Sequence, residues 1–328
     1  MKSKIAFALT LISVLSIFGC SAQTLKEEQG YIATPDGVKL YYFKYGDGPE
    51  KVIIPGSLFL RDDFKNLVSD KRTIVFYDMR NRGQSEYVKD STTLSIQQDV
   101  KDLETVRKHF NFQKTSLVGY SYLGLVVMLY AKDYSEYVTR IVQIGPVPLK
   151  FNTKYKAEYS HLDKKAVIDS TKYKDMLKLF NKGYHKSNPE EFCEIFWNAT
   201  KNNLVGDQKN VALLRSTCYL SNEWTVNLQR HFKYNFTSTQ NLDVPWAEFT
   251  NIDVPILTFH GTKDRNAKYG SGREWVFRMK NAKLITIDNA AHRLWLEQDI
   301  MLDINTFLFN KKWPDSAMVV NSDPTISN

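Results

Sequence analysis

The sequence predicts an α/β protein: a mostly parallel, doubly wound sheet interrupted once by a helical insertion. Three observations lead there. Short apolar runs such as KVIIPG, TIVFYDM, TSLVGY and VTRIVQIGP alternate with helix-period segments over residues 50–146. Runs this apolar belong to strands covered on both faces, and the right-handed crossovers between them require a parallel sheet. The rhythm then stops from about Lys150 to Thr250 and resumes with VPILTFHG and AKLITIDN. About a hundred residues is far beyond an ordinary connection, so the intervening helix-like stretches, rich in Lys, Tyr and Phe, form a helical insertion over 150–250.

The elements follow in chain order. Lys2 and Lys4 precede IAFALTLISVLSIF, an apolar run too short to span a bilayer comfortably, which closes on Gly19-Cys20 and then Ser21-Ala22-Gln23. This is a targeting segment. It resembles a bacterial lipoprotein signal over residues 1–20, with Cys20 becoming the acylated N-terminus. A plain secretory signal cut after Ala22 is the alternative. Both readings export the protein to the cell envelope, and the first adds a membrane contact through an N-terminal lipid, facing the periplasm.

From residue 25 the core begins. YIATPDGVKLYYFKYG is a hairpin turned at Pro35-Asp36-Gly37. A helix starts near Ser95, with Ile96, Val100, Leu103 and Phe110 on one face and Ser95 and Gln98 spaced as a capping box. TSLVGY is a buried strand and YLGLVVMLYAKDY the helix after it. Beyond the insertion come VPILTFHG, a helix around 272–280, AKLITIDN and a last helix to about Phe309. The core thus spans 25–149 and 251–311, and the polar stretch 312–328 is expected to fray.

Lys and Arg outnumber Asp and Glu, 44 to 36, for a formal net charge of +8. They are scattered beside acidic residues, with no basic block or aromatic-basic repeat. The excess is a solvated surface, and no nucleic-acid partner is expected. No zinc-site spacing, phosphate loop or nucleotide fingerprint occurs, so neither metal nor cofactor is expected. Cys193 and Cys218 lie 25 positions apart. They are either two buried thiols or a disulfide, which export permits and which would stabilise by ~3 kcal/mol on a chain-entropy estimate.

Residues 117–124 read LVGYSYLG. Gly119-Tyr120-Ser121-Tyr122 is most of a G-x-S-x-G nucleophile elbow, but Leu123 stands where the last glycine is expected, and Gly124 follows one place late. Ser121 falls at a strand-to-helix turn on the C-terminal edge of the sheet, where open α/β folds bind ligands. Taken alone, the motif fits either a catalytic serine or an ordinary junction. A serine hydroxyl needs a base to take its proton and an acid to orient that base. Among six histidines, His109 lies on a surface-type helix, His161, His185 and His231 fall in the insertion, and His260 supports a strand-ending turn. His292, in NAAH after the last strand, shares the sheet edge of Ser121. Asp264, in HGTKDRNA and 28 residues before His292, leaves the same edge between them. An isolated loop aspartate is commonly a turn or cap residue; the order Ser…Asp…His, each at a strand's C-terminal end, points to a triad instead.

PGS (55–57), YDMRNRGQS (77–85), LVGYSYLG, HGTKDRNAKYGSGREW (260–275) and AAH (290–292) resemble the α/β-hydrolase family, over roughly residues 30–310. YDMRNRGQS is similar to the family's D-x-R-G-x-G-x-S turn. The resemblance implies the α/β-hydrolase fold, Ser121 as nucleophile, His292 as general base and acid, Asp264 as orienter, and 150–250 as a helical cap. It also implies an oxyanion hole from the Tyr122 N–H and a second N–H after KVIIPG. Ser57 is the expected second donor there, ahead of Leu58.

The capped layout and Ser-Tyr elbow most resemble the proline-iminopeptidase-like branch, although IPGSLF departs from that branch's H-G-G-P-G. The implied activity is a serine hydrolase cutting an ester or amide of a small molecule or peptide. One form is aminopeptidase-like; the other is a carboxylesterase on acylated envelope metabolites. A peptidase needs cap carboxylates for the substrate ammonium, with Glu194 and Glu223 as candidates. Trp295 is a candidate for the pocket wall with Tyr120, Trp197 and Trp224, and Tyr122 is the nearest to substrate. Two further classes stay open. One is a binding protein on an inactive hydrolase fold, which an intact triad argues against; the other is cofactor-free perhydrolysis or C–C cleavage by the same groups.

Overall fold

The computed structural model describes residues 26–69, 71–160, 162, 167–216, 218 and 228–326. Cys20, the rest of the targeting segment, Glu223 and Trp224 lie outside them. One eight-stranded sheet organises the molecule. Its strands are β1 (Glu27–Ala33), β2 (Lys39–Tyr45), β3 (Glu50–Pro55), β4 (Arg72–Tyr77), β5 (Thr115–Tyr120), β6 (Val138–Ile144), β7 (Ile256–Gly261) and β8 (Ala282–Ile287). Their spatial order is β1-β2-β4-β3-β5-β6-β7-β8. The β1–β2 hairpin and the β2–β4 pair are antiparallel, and every pairing from β4 to β8 is parallel.

The parallel strands are buried on both faces, which is why they read as unbroken apolar runs. Ile53, Val75 and Leu117 point into one core; their neighbours Ile54, Phe76 and Val118 point into the other. Helices α2 (Ile96–His109), α3 (Tyr122–Tyr134) and α9 (Tyr269–Arg278) cover the first face, through side chains such as Leu103, Val126 and Trp275. Helices α1 (Ser57–Phe64) and α10 (Met301–Leu308) cover the second, through Leu60, Phe64, Ile304 and Phe307.

Sequence reasoning did not locate α1, because SLFLRDDF is short and two buried side chains carry its packing. It set the start of α9 three residues late, because Gly270 and Gly272 lower the local propensity that tertiary packing overrides. At α2 the Ser95 hydroxyl accepts from the Gln98 N–H at 3.2 Å. The Gln98 amide donates to Asp102 Oδ1 rather than back to Ser95, so the capping box is half closed.

Between β6 and β7 the described chain is helical: α4 (Ser170–Asn181), short α5 (Tyr184–Ser187), α6 (Pro189–Thr200), α7 (Leu228–Arg230), a π-helical turn (His231–Phe236) and α8 (Thr237–Gln240). Met176, Phe192 and Ala199 give this insertion a small core of its own. Cys193 and Cys218 form a disulfide with Cα atoms 5.5 Å apart, packed against Trp197, Leu204 and Leu214. The insertion is tied to the sheet's helices where the Ser238 hydroxyl accepts from the Ile96 N–H, and where Arg230 donates to the Val88 carbonyl.

The expectation that residues 312–328 fray is corrected for the described stretch. Met318 bridges Leu284 and Thr325 bridges Tyr155, while Ala317 and Val320 are buried. A few apolar side chains within a polar composition are enough to lay this segment across β8. Among the described residues, no helix is long and apolar enough to cross a membrane.

Candidate active site

β5 ends in the motif that frames the site. Ser121 caps α3 with φ 56° and ψ −121°. A positive φ on a residue with a Cβ stores ~1–3 kcal/mol and persists only where the surroundings over-determine it. Here the Ser121 N–H donates to Ile144 O at 2.9 Å, and its carbonyl accepts from the N–H groups of Gly124 and Val147. The turn is so tight that a Cβ at Gly119 would lie 2.4 Å from the Leu123 carbonyl oxygen. Gly124, one place late for the motif, lets α3 settle against Pro146. Leu123 is accommodated because its side chain fills the space beside Gly56, where a Cβ would approach Leu123 Cδ1 to 2.5 Å. A pair of residues 67 positions apart therefore takes the place of the motif's final glycine.

β7 and β8 deliver the other two groups. His292 Nε2 lies 2.9 Å from Ser121 Oγ, and His292 Nδ1 lies 2.7 Å from Asp264 Oδ2. All three residues sit at C-terminal strand ends, as the sequence order implied. Asp264 is fixed on its other side, where Oδ1 accepts from the N–H groups of Asn266 (2.7 Å) and Ala267 (2.9 Å). His260 Nε2, fully buried, stands 3.4 Å from Asp264 Oδ2. The strand-ending histidine thus braces the Asp264 turn. Burial alone pushes the Asp264 carboxyl up, but the adjacent His292 and His260 imidazoles prevail and hold it well below the usual carboxylate range. An ionised carboxylate only accepts, so Nδ1–H of His292 donates to it and the Nε2 lone pair faces the serine hydroxyl.

Two backbone donors lie at helix starts. Tyr122 is the first residue of α3 and Ser57 the first of α1, so neither N–H has an intrahelical acceptor. Neither donates to a protein group among the described residues. The Leu58 N–H is already taken by Asp78 Oδ1 at 2.8 Å. Asp78 Oδ2 also accepts from the Gln84 N–H, and the Ser85 hydroxyl donates to the Asp78 carbonyl. The YDMRNRGQS turn thereby clamps the start of α1, with its own Arg80 held between Asp36 and Asp102.

Over Ser121 and His292 lies a cavity of about 600 Å³. Its walls include Phe59, Tyr120, Tyr122 and Leu123 from the core and Phe196, Trp197, His231 and Phe236 from the insertion. Of the aromatic candidates, Tyr120, Tyr122 and Trp197 meet the cavity. Trp295 does not: it is buried behind Tyr120, against Phe64, with its indole N–H on Asp63. Glu194 also does not, because α6 turns it to solvent beside Ser216.

Two groups of the site escaped sequence reasoning. The Tyr122 hydroxyl donates to Asp99 Oδ2 at 2.6 Å, so its polar end points into the core and its ring face remains for the cavity. Asp99 reads as a polar position of α2, yet it is 1% exposed, and burial pushes its carboxyl up to about 7. His231 reads from the sequence as one of three histidines of the insertion. Nothing local marks either residue, because both owe their positions to packing across elements.

Comparison with known proteins agrees with this fold. A family model for the alpha/beta hydrolase fold matches residues 55–299. The chain is similar to a proline iminopeptidase of Saccharolobus solfataricus, 23% identical over 298 residues, covering 86% of this chain and 92% of that protein. It is also similar to the human serine hydrolase BPHL, 32% identical over 117 residues, or 34% of this chain and 40% of that protein. Among solved structures, 2-hydroxy-6-oxo-6-phenylhexa-2,4-dienoate hydrolase of Rhodococcus sp. strain RHA1 superposes with a TM-score of 0.61 at 18% identity, over 87% of this chain and 100% of that one. An esterase of Exiguobacterium antarcticum gives 0.59 at 15% identity, over 86% and 99%. At such identities the structural likeness carries the fold alone.

Proposed function

Because the chain belongs to the α/β-hydrolase fold family, we propose that it is an exported serine hydrolase cleaving an ester or amide bond of a small molecule or peptide through an acyl-enzyme. The observation that carries the reading is the continuous relay from Ser121 Oγ through His292 to Asp264, at 2.9 and 2.7 Å, on the floor of the cavity. Ser121 Oγ attacks the scissile carbonyl while His292 Nε2 takes its proton, and Asp264 holds the imidazolium that results. The N–H groups of Tyr122 and Ser57 receive the oxyanion. His292 then passes the proton to the leaving alcohol or amine. A water molecule, deprotonated by the same imidazole, releases the acyl group and restores Ser121.

Similarity to a proline iminopeptidase favours a peptide-like substrate. That specificity requires a carboxylate for the substrate ammonium, and Glu223 is the remaining candidate now that Glu194 faces solvent. The apolar walls favour the second reading, a carboxylesterase for an apolar acyl group. Export through a lipoprotein-type signal, with Cys20 acylated, remains part of the proposal. The Cys193–Cys218 disulfide supports an oxidising compartment. The mass of the mature N-terminus tests it, since an unmodified or uncut residue 20 would refute lipidation.

A fluorophosphonate probe tests the chemistry. Wild-type protein is expected to label, and Ser121→Ala and His292→Ala are expected not to. Folded wild type that resists the probe would sink the mechanism and leave a binding protein on this fold. Hydrolysis of aminoacyl amides against short-chain esters then separates peptidase from esterase.

A further inference from the structure

Among the described residues, two imidazoles meet the cavity, and the proposed mechanism uses one of them. The other, His231, opens the π-helical turn His231–Phe236 and is 7% exposed. Its ring stands edge-on to that of Tyr122, with centroids 4.7 Å apart, and Phe232 and Phe236 of the same turn face the same cavity. The polar groups of Tyr122 and Asn235 beside it are both spent on Asp99 rather than on the imidazole. Burial and the positive charge of Arg82 hold its pKa well below the ordinary histidine range, so the ring is neutral at neutral pH. A neutral imidazole offers one donor and one acceptor to a group in the cavity.

The ring is also held in place. Asn235, in the same turn, donates to Asp99 Oδ2 at 3.0 Å, and Asp99 Oδ2 accepts the Tyr122 hydroxyl as well. One buried carboxyl therefore fixes both the turn and the ring that His231 packs on. Helical turns of the π type occur mostly as single turns inside α-helices, frequently at functional sites. A group bound in the cavity that His231 lines can therefore serve as its partner.

We propose that His231 is a specificity-determining residue, binding an uncharged oxygen on a substrate whose body is an aryl or alkyl group. The aromatic side chains around it hold that body, and the imidazole selects a carbonyl or ether oxygen placed away from the scissile bond. The inference rests on the proposed hydrolase reading only in taking this cavity as the substrate site.

The test uses the full chain carrying Ser121→Ala, which stops turnover, and two matched probes, 4-phenylbutan-2-one and butylbenzene. Titration calorimetry gives the ratio of their dissociation constants. Adding His231→Phe is expected to cost the ketone at least tenfold relative to the hydrocarbon, while His231→Gln keeps the ratio within threefold. No measurable binding of the ketone, or a ratio that moves less than tenfold in His231→Phe, overturns the proposal. If His231→Phe does not fold, the imidazole nitrogen resonances of the Ser121→Ala protein decide. They should shift on adding the ketone and stay still with butylbenzene, and any other pattern overturns the proposal. Failure of wild type to label with a fluorophosphonate would sink the hydrolase reading alone, since ketone binding is measured without turnover.

Discussion

Asp264→Asn is a demanding test of the relay, because the two carboxylate oxygens have unequal duties. Oδ1 accepts two backbone N–H groups, from Asn266 and Ala267, while Oδ2 faces His292 Nδ1. In the variant the amide oxygen must stay on the two N–H groups, so the amide nitrogen turns to His292 and donates to Nδ1. The imidazole proton is then driven to Nε2, against Ser121, and the base is lost. Turning the amide round would set its NH2 against two N–H donors. At ~1–3 kcal/mol for each bond forfeited, that reversal costs ~2–6 kcal/mol. With ~1.4 kcal/mol per tenfold, between about one molecule in 30 and one in 10⁴ holds the productive orientation. Turnover of a p-nitrophenyl ester at neutral pH, and the rate of fluorophosphonate labelling, should both fall by that factor. The near-isosteric change should leave the circular-dichroism melt close to wild type. A folded variant within tenfold of wild-type turnover would refute the assigned tautomer and the orienting role of Asp264.

Three further outcomes follow from the packing. Leu123→Gly restores the G-x-S-x-G pattern but empties the space beside Gly56, so it should destabilise by about 3–5 kcal/mol in urea unfolding; an unchanged midpoint would show that the cavity term is absent. Reducing the Cys193–Cys218 bridge, or Cys193→Ser, removes ~3 kcal/mol of chain-entropy stabilisation, roughly 6–12 °C in melting temperature. A melt indifferent to reductant would refute that contribution. Asp99 titrates at about 7 in the folded chain against 3.8 for an unperturbed aspartate. Its stabilising term is therefore full below about pH 4 and is lost as pH rises through about 7, with a slope of up to ~1.4 kcal/mol per pH unit. Asp99→Asn should flatten the urea midpoint between those pH values, and a variant with the wild-type slope would assign the dependence elsewhere.

Most of the fold was legible because its signals are contiguous. TSLVGY and ILTFHG are each buried along their whole length, so their apolar runs needed no partner to be read as central strands. Ser121, Asp264 and His292 were legible for a related reason. Each lies within a few residues of a strand's end, and a parallel sheet gathers those ends at one edge. Ser57 as the proposed second donor was readable only as an alignment; the structure adds that the N–H of the alternative, Leu58, is taken by Asp78 Oδ1. Glu194 and Trp295 were misread because charge and aromaticity say nothing of the face a helix or loop presents. α6 turns Glu194 outward, and Trp295 packs behind Tyr120. The tail was misread because polar composition was weighed without the few apolar residues that β8 and Tyr155 receive.

The sequence by itself determined the sheet, the order of its strands along the chain, the helical character of the insertion and the three groups at the sheet edge. Those depend on hydrophobic period, turn chemistry and strand ends, all written in neighbouring residues. Tertiary structure alone decided why Leu123 is tolerated, through Gly56. It also decided how Asp99 secures Tyr122 and Asn235, and that His231 reaches the cavity. These are fits between surfaces distant in sequence, where one side chain's environment is made by several elements at once, and no local pattern records them.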